Sequence, residues 1–413
     1  MNKSFKDMLY LMRYAAFGKK INIQNIDDGD NICELAIMQG VFPLVYDALA
    51  ENGYKNIASK YTNMFFSHIA NYERKMYCLY KVTKLFNEND LNFCVLKGCT
   101  IASLYHLSEY RMSGDIDLLI EPKDEKKAAK LLSTEMGMLI VPRPKEGHHF
   151  LAKHKIGGLF EIHIALYNSL FDDMVLKNTF QVNEPFSKQK LKNGLEINSL
   201  SVNDNLYYLT AHLIKHFVKE GCGIRQILDL LVYVNTYCNI LDFDEYFNVL
   251  RTIGFDRFIK NIFGIGAVYF DLSIPICENT YVDEILNDVE TGGNFGFSDE
   301  ERTGFYNNFL KLHDVKNNGK DIVHIQKSKV KGIIRSVLLP NQNYLISKGY
   351  LYLKNHKYLY PVAYIHRIID VLVLVIKRKR SLNDFKLDIT ENSVKMQRIA
   401  LMQNLEILGG DNK

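Results

Sequence analysis

The spacing of apolar residues changes twice along the chain, and this restricts its fold more than any other feature. Up to about residue 90 the spacing is helical. In the run from Ala58 to Leu85, the residues Tyr61, Phe65, Ile69, Tyr72, Met76, Leu79 and Val82 follow at steps of three or four, the core-facing stripe of one long helix. Between about 91 and 200 the apolar runs shorten and are separated by charged or glycine-bearing connections, which is strand-like. Strands are expected at Phe93 to Leu96 and Ile116 to Ile120, with a helix opening at Gly98 between them. A second helix is expected after Asp124, ending near Gly137. His149 to Ala152 and Leu159 to Leu166 form a hairpin turned at Gly157 and Gly158. From Asp204 the helical period returns in four segments ending near Tyr269, punctuated by Gly221, Gly223 and Gly254, and residues 291–296 mark a loop. The expected class is α+β. A small mixed β-sheet core at 91–200 is flanked by a helical region at 1–90, a helical domain at 201–300 and a basic, mostly helical region at 301–413.

Composition excludes several classes. Seven cysteines, odd in number and without a C-x-x-C pair, suggest neither a disulfide framework nor a cysteine zinc site. The N-terminal MNKSFKDMLYLMRYAAFG interrupts its apolar run with Lys and Asp and does not read as a signal peptide, so a cytoplasmic location is expected. The net charge of +4 is uneven: residues from 301 onward hold 20 Lys+Arg against 9 Asp+Glu, and those before hold 31 against 38. Such asymmetry suits either a polyanion or membrane surface, or a basic lobe docked on an acidic one. Tyr358 to Ile376, the longest apolar stretch, contains His366, Arg367 and Asp370 and leads into Lys377 to Arg380. It therefore reads as a core helix with a solvated basic end, in preference to a membrane contact. Nucleic acid is not expected either: many of the 25 Tyr and 24 Phe fall on core stripes, not on a continuous basic and aromatic track.

The chemistry concentrates in LKGCTIASLYHLSEYRMSGDIDLLI, residues 96–120. Asp115 and Asp117 alternate with Ile116, Leu118 and Ile120, so both carboxylates leave one face of a strand whose other face is buried, with Cα atoms roughly 7 Å apart. Two like charges on so rigid a mount repel unless a cation or a basic partner neutralises them. Glu161 and His163 alternate in the same way on the hairpin, bringing a third carboxylate. Three acidic groups on neighbouring strands suit Mg²⁺, a hard cation that takes its remaining ligands from substrate phosphates. Lys97 and Gly98, at a strand end where a helix begins, could meet such a phosphate with an ammonium and free backbone N–H groups, and Arg111 could clamp it. Each of these features alone is weak, and Arg111 could equally pair with an aspartate; their conjunction in one α/β unit is the stronger signal.

Lys97-Gly98, Tyr105, Arg111, Gly114-Asp115-Ile116-Asp117-Leu118-Leu119 and Glu161-x-His163 resemble the uncharacterised nucleotidyltransferase family of bacteria, a branch of the polymerase-beta-like superfamily. The resemblance extends into Ala211-His212-Leu213-x-Lys215-His216-Phe217, Gly223-Ile224-Arg225 and Leu228-Asp229-Leu230, with an echo at residues 292–296. It implies that Asp115, Asp117 and Glu161 hold metal as the catalytic carboxylates, with two Mg²⁺ ions, or Mn²⁺ in their place. It further implies that Lys97, Gly98, Cys99, Arg111, Ser113 and Gly114 serve the nucleotide, Gly98-Cys99 standing where the superfamily usually has glycine and serine. From their place in the chain, His163, His212, His216 and Arg225 are expected on the acceptor side of the cleft, with structural hydrogen bonds as the alternative for His212, His216 and Arg225. The implied activity is two-metal transfer of an NMP from an NTP such as ATP to a hydroxyl acceptor. The alternatives are a catalytically weak nucleotide-binding or partner-binding protein that keeps the fold, and the nucleotidylating component of a toxin-antitoxin type system. His212 and His216 are spaced as zinc ligands, but Leu213 stands where a zinc protease would carry glutamate.

Overall fold

The structure is a computed structural model and describes residues 1–22, 26, 28–52, 54–144, 147–167, 187–219, 221–294, 296, 359, 361–363 and 393–407. Two compact units divide the chain, Met1–Asn307 with Gln403–Lys413, and Asn308–Met402; the β-sheet and the helices around it belong to the first. Most of the basic region from 301 onward, including Lys377 to Arg380 and nearly all of the Tyr358 to Ile376 segment, lies outside the described residues. Among those described, no helix is long and apolar enough to cross a membrane.

Four helices come first: α1 (Lys3–Phe17), α2 (Gly29–Met38), α3 (Phe42–Glu51) and the 34-residue α4 (Lys55–Glu88). The stripe expected on α4 is realised, with Tyr61, Phe65, Met76, Leu79 and Val82 buried and Ile69 and Tyr72 half-buried. Its first half faces α3, where the Phe65 ring stacks on Tyr46 at 4.5 Å between centroids.

The second half of α4 covers a five-stranded mixed sheet formed by β1 (Phe93–Val95), β2 (Asp115–Ile120), β3 (Leu139–Val141), β4 (His149–His154) and β5 (Gly158–His163), in the order β1-β2-β5-β4-β3. Only β2 and β5 run parallel; the other neighbours are antiparallel. The short α5 (Gly98–Ala102) follows β1, and α6 (Glu125–Thr134) follows β2. Alternation sorts the sheet into two faces. Ile116, Leu118, Ile120, Phe150, Ala152, Phe160 and Ile162 pack against Leu79, Val82 and Phe86 of α4 and Ala128 and Leu132 of α6. Each of the larger side chains among them contributes about 1.5–3 kcal/mol when fully buried.

The β4–β5 turn meets α4 so closely that a Cβ on Gly157 would lie 1.9 Å from Cys78 Sγ. Only glycine fits there. The next residue, Gly158, has φ +93°.

The opposite face of the sheet carries Asp115, Asp117, Glu161 and His163. At the β1 side it is closed by a small cluster of Cys94, Leu96, Leu119, Leu200 and Tyr208. Tyr208 belongs to α7 (Val202–Lys219), which follows a small hairpin of β6 (Ser187–Lys190) and β7 (Glu196–Ser199). The helices α8 (Ile224–Tyr237), α9 (Phe243–Thr252), α10 (Asp256–Phe270) and α11 (Val282–Gly292) continue the chain, so the expected α+β class holds and helix covers both sides of the sheet in sequence. All seven cysteines are free thiols, five of them buried.

Candidate active site

Parallel register sets Asp117 beside Glu161 and Asp115 beside Leu159. Three carboxylates therefore line one ridge, and their environments differ. Asp117 is 2% exposed, with Lys97 Nζ 3.3 Å and His163 Nε2 2.9 Å from its Oδ1. Burial alone would push this carboxyl up, but Lys97 and His163 outweigh it and hold it at about 2. Glu161 goes the other way: burial, then the neighbouring charges of Asp117 and Asp115, push its carboxyl up. Its Oε2 is 3.7 Å from His163 Nε2. Asp115, at the start of β2, is half-exposed.

Lys97 reaches Asp117 from a strained backbone, φ 26° and ψ −114°, at the position just before α5. A non-glycine residue in this region costs on the order of 1–3 kcal/mol, and such residues cluster at functional sites. Burial opposes the Lys97 charge, but Asp117, Tyr208, Asp115 and Glu161 together keep it firmly protonated.

Two clefts flank the ridge. The first, about 200 Å³, brings Asp115, Asp117, Lys97, Gly98 and Ser113 together with His212, His216 and Arg225. The second, about 220 Å³, brings Glu161 and His163 together with His148, His149, Tyr208 and Lys215. Lys97, His212 and His216 line both. The two α7 imidazoles lie 4.5 Å apart. Burial, followed by the positive charge of Lys97 and the neighbouring His216 imidazole, drives the His212 imidazole well below its ordinary range, so it is neutral at neutral pH.

The residues expected from sequence fall into three groups. Asp115, Asp117, Glu161, Lys97, Gly98, Ser113, His163, His212, His216 and Arg225 border one cleft or both. Arg225 borders only the first, apart from His163. Arg111 also borders the first cleft, but its guanidinium is bidentate to Asp229, Nε to Oδ1 at 2.8 Å and Nη2 to Oδ2 at 2.7 Å, while the Tyr105 hydroxyl donates to Oδ1 at 2.7 Å. Its partner is thus an aspartate of α8, neither Asp115 nor Asp117. Cys99 lines neither cleft: it sits in the apolar core beneath the sheet, where burial raises its thiol to about 11. Gly114 is exposed, with nothing near its Cα that a side chain would meet.

Sequence reasoning missed Asn294 and Gln226 in the first cleft, and Tyr208 in the second. Asn294 Oδ1 accepts from Arg225 Nε at 3.2 Å, and its backbone N donates to Met38 O at 2.9 Å. A Cβ on Gly223 would lie 2.6 Å from Asn294 Cα, so the glycine before α8 lets this loop close on the cleft. The echo at residues 292–296 was the available signal. Lys75, on α4, was also missed: it is buried and donates to the Ser113 backbone carbonyl, bracing the turn that leads into Asp115.

Residues 26–271, more than half of the chain, match the family model described as uncharacterised nucleotidyltransferase, and the chain belongs to that family. No curated protein matches the chain. The solution structure of the antibiotic-resistance factor ANT(2'')-Ia is 13% identical and overlaps 38% of this chain and 81% of that one. The TM-score is 0.28.

Proposed function

We propose that the protein is an Mg²⁺-dependent nucleotidyltransferase that moves an NMP unit from an NTP to a hydroxyl acceptor. The observation that carries this reading is the ridge of Asp115, Asp117 and Glu161 on adjacent parallel strands, opening onto two clefts. Its donor set fits a hard cation. All three groups offer carboxylate oxygens, and burial, then the charges of Asp117 and Asp115, push Glu161 up, so a cation seated among the three would relieve their mutual repulsion. Asp115, Asp117 and Glu161 would hold the metal. Two bound Mg²⁺ ions supply charge neutralisation for the triphosphate and a more acidic acceptor hydroxyl.

The chain's own groups divide the remaining work. The first cleft takes the triphosphate, where Arg225 and Lys97 supply positive charge and the Ser113-Gly114 turn supplies close backbone approach. Lys97 neutralises Asp117 in this structure, and a phosphate entering the cleft competes with that carboxylate for its ammonium. Arg111 acts indirectly, holding Asp229 and so the near end of α8. The second cleft takes the acceptor, whose hydroxyl proton would pass to a Glu161 carboxylate oxygen, with neutral His212 available as a hydrogen-bond partner. Calorimetric titration with each NTP, with and without Mg²⁺, tests the nucleotide half of this reading. Wild type should bind an NTP only with the metal, and Asp115→Asn should lose that binding while remaining folded. Equal NTP affinity of wild type and variant would contradict the assignment.

A further inference from the structure

Beside the carboxylate ridge lies a cluster of three imidazoles, from His148, His149 and His163. Antiparallel register places His149 of β4 directly against His163 of β5, so both side chains leave the ridge face. His148 immediately precedes β4, and Ile164 N donates to its carbonyl at 2.8 Å, fastening it to the end of β5. The three rings lie 4.8, 5.1 and 5.3 Å apart between centroids. One ring nitrogen from each falls within 4.8 Å of the other two.

Hydrogen bonding sharpens the point. His163 Nε2 is 2.9 Å from Asp117 Oδ1, and an ionised carboxylate only accepts, so Nε2 carries a proton and Nδ1 is the ring nitrogen left for a ligand. His163 is 3% exposed, and its Nδ1 is buried with no hydrogen-bond partner; Nδ1 of His149 is in the same condition. Leaving two buried ring nitrogens of one cluster unsatisfied is costly, and it calls for a ligand. A histidine whose second nitrogen donates to a carboxylate is the usual form of a metal-bound histidine, oriented and made more basic by that bond.

We propose that His148, His149 and His163 form a binding site for Zn²⁺, or for a similar transition metal that prefers imidazole, distinct from the carboxylate site for Mg²⁺. Three nitrogen donors suit zinc and not magnesium, which takes oxygen. The site borders the second cleft, so a fourth coordination position is available to an oxygen of whatever occupies that cleft. His163 joins the two centres through Asp117. This inference stands on the imidazole geometry and does not depend on the chain's being a transferase.

Equilibrium dialysis of the full chain against Zn²⁺ with metal analysis, and the visible absorption of the Co²⁺-loaded protein, test it directly. One zinc per chain is expected, with the intense bands of four-coordinate Co²⁺. His148→Ala and His149→Ala should each weaken Zn²⁺ binding by about 100-fold or more, with unchanged circular dichroism. Asp115→Asn should leave Zn²⁺ binding intact. Failure to bind zinc at micromolar concentration would overturn the proposal, as would binding that survives in both folded histidine variants. Binding lost in Asp115→Asn but kept in the histidine variants would place the metal among the carboxylates and overturn it equally.

Discussion

Replacing Asp117 with Asn and Asp115 with Asn should have opposite effects on the stability of the metal-free protein, although the two residues are two apart on one strand face. Asp117 is 2% exposed, and Lys97, 18% exposed, is 3.3 Å away. Holding its carboxyl at about 2 instead of the ordinary 3.8 contributes about 2 kcal/mol at neutral pH. Asp117→Asn removes that contribution and leaves Lys97 without its main counter-charge, moving the cost toward the roughly 3–5 kcal/mol of a broken buried pair. A loss of about 2–4 kcal/mol corresponds to a fall in melting temperature of roughly 3–6 °C for a unit of this size. Asp115 is half-exposed, and no ion pair is seen to it among the described residues. Its replacement only relieves repulsion, so Asp115→Asn should match or slightly exceed wild type. Asp117 adds its stability above the unfolded carboxyl value and loses it as pH falls through about 2, so the gap between wild type and Asp117→Asn should close from about pH 4 downward. Thermal melts of the three proteins at pH 7, 4 and 2.5 check this. Equal stability of the two variants at pH 7 would refute the reasoning.

Glu161→Gln should raise the melting temperature of the metal-free protein at pH 7. A carboxyl whose folded value is raised contributes stability only while protonated, so the gain should vanish below about pH 4, as melts at both pH values would show. Gly157→Ala should cost about 1–3 kcal/mol in urea unfolding, because its Cβ meets Cys78 Sγ on a packed helix. Arg111→Lys, which replaces a bidentate fork with a point charge on buried Asp229, should destabilise the fold measurably, while Mg-NTP affinity measured on the folded fraction changes little.

Much of this architecture was legible because it is local. Alternation in residues 115–120 and 158–163 announces which side chains share a face, and steps of three and four announce α4; both follow from the geometry of a single element. Side-chain partners distant in sequence carry no such signature. The bond from Arg111 to Asp229 spans 118 residues, and the guanidinium could as plausibly have been assigned to a phosphate. The direction of Cys99 was hidden for a different reason: the strained Lys97 backbone, after which the lysine lies on the ridge and the Cys99 thiol in the core, leaves no mark in the sequence. His149 gained meaning only from register, since sequence could place it on the hairpin but could not set it against His163. Asn294 reaches the cleft because Gly223 permits a close approach between segments about 70 residues apart.

The central claim is transfer of a nucleotidyl group, and tracking the α-phosphate tests it most directly. The full chain is incubated with each of the four NTPs, labelled at the α-phosphate and in parallel at the γ-phosphate, with Mg²⁺ or Mn²⁺, alone and with cell extract as a source of acceptors. The α-label should become attached to an acceptor while the γ-label leaves in pyrophosphate, and Asp115→Asn should abolish both. Movement of the γ-label onto an acceptor, or no transfer of the α-label from any NTP by the folded protein in the presence of extract, would contradict the account.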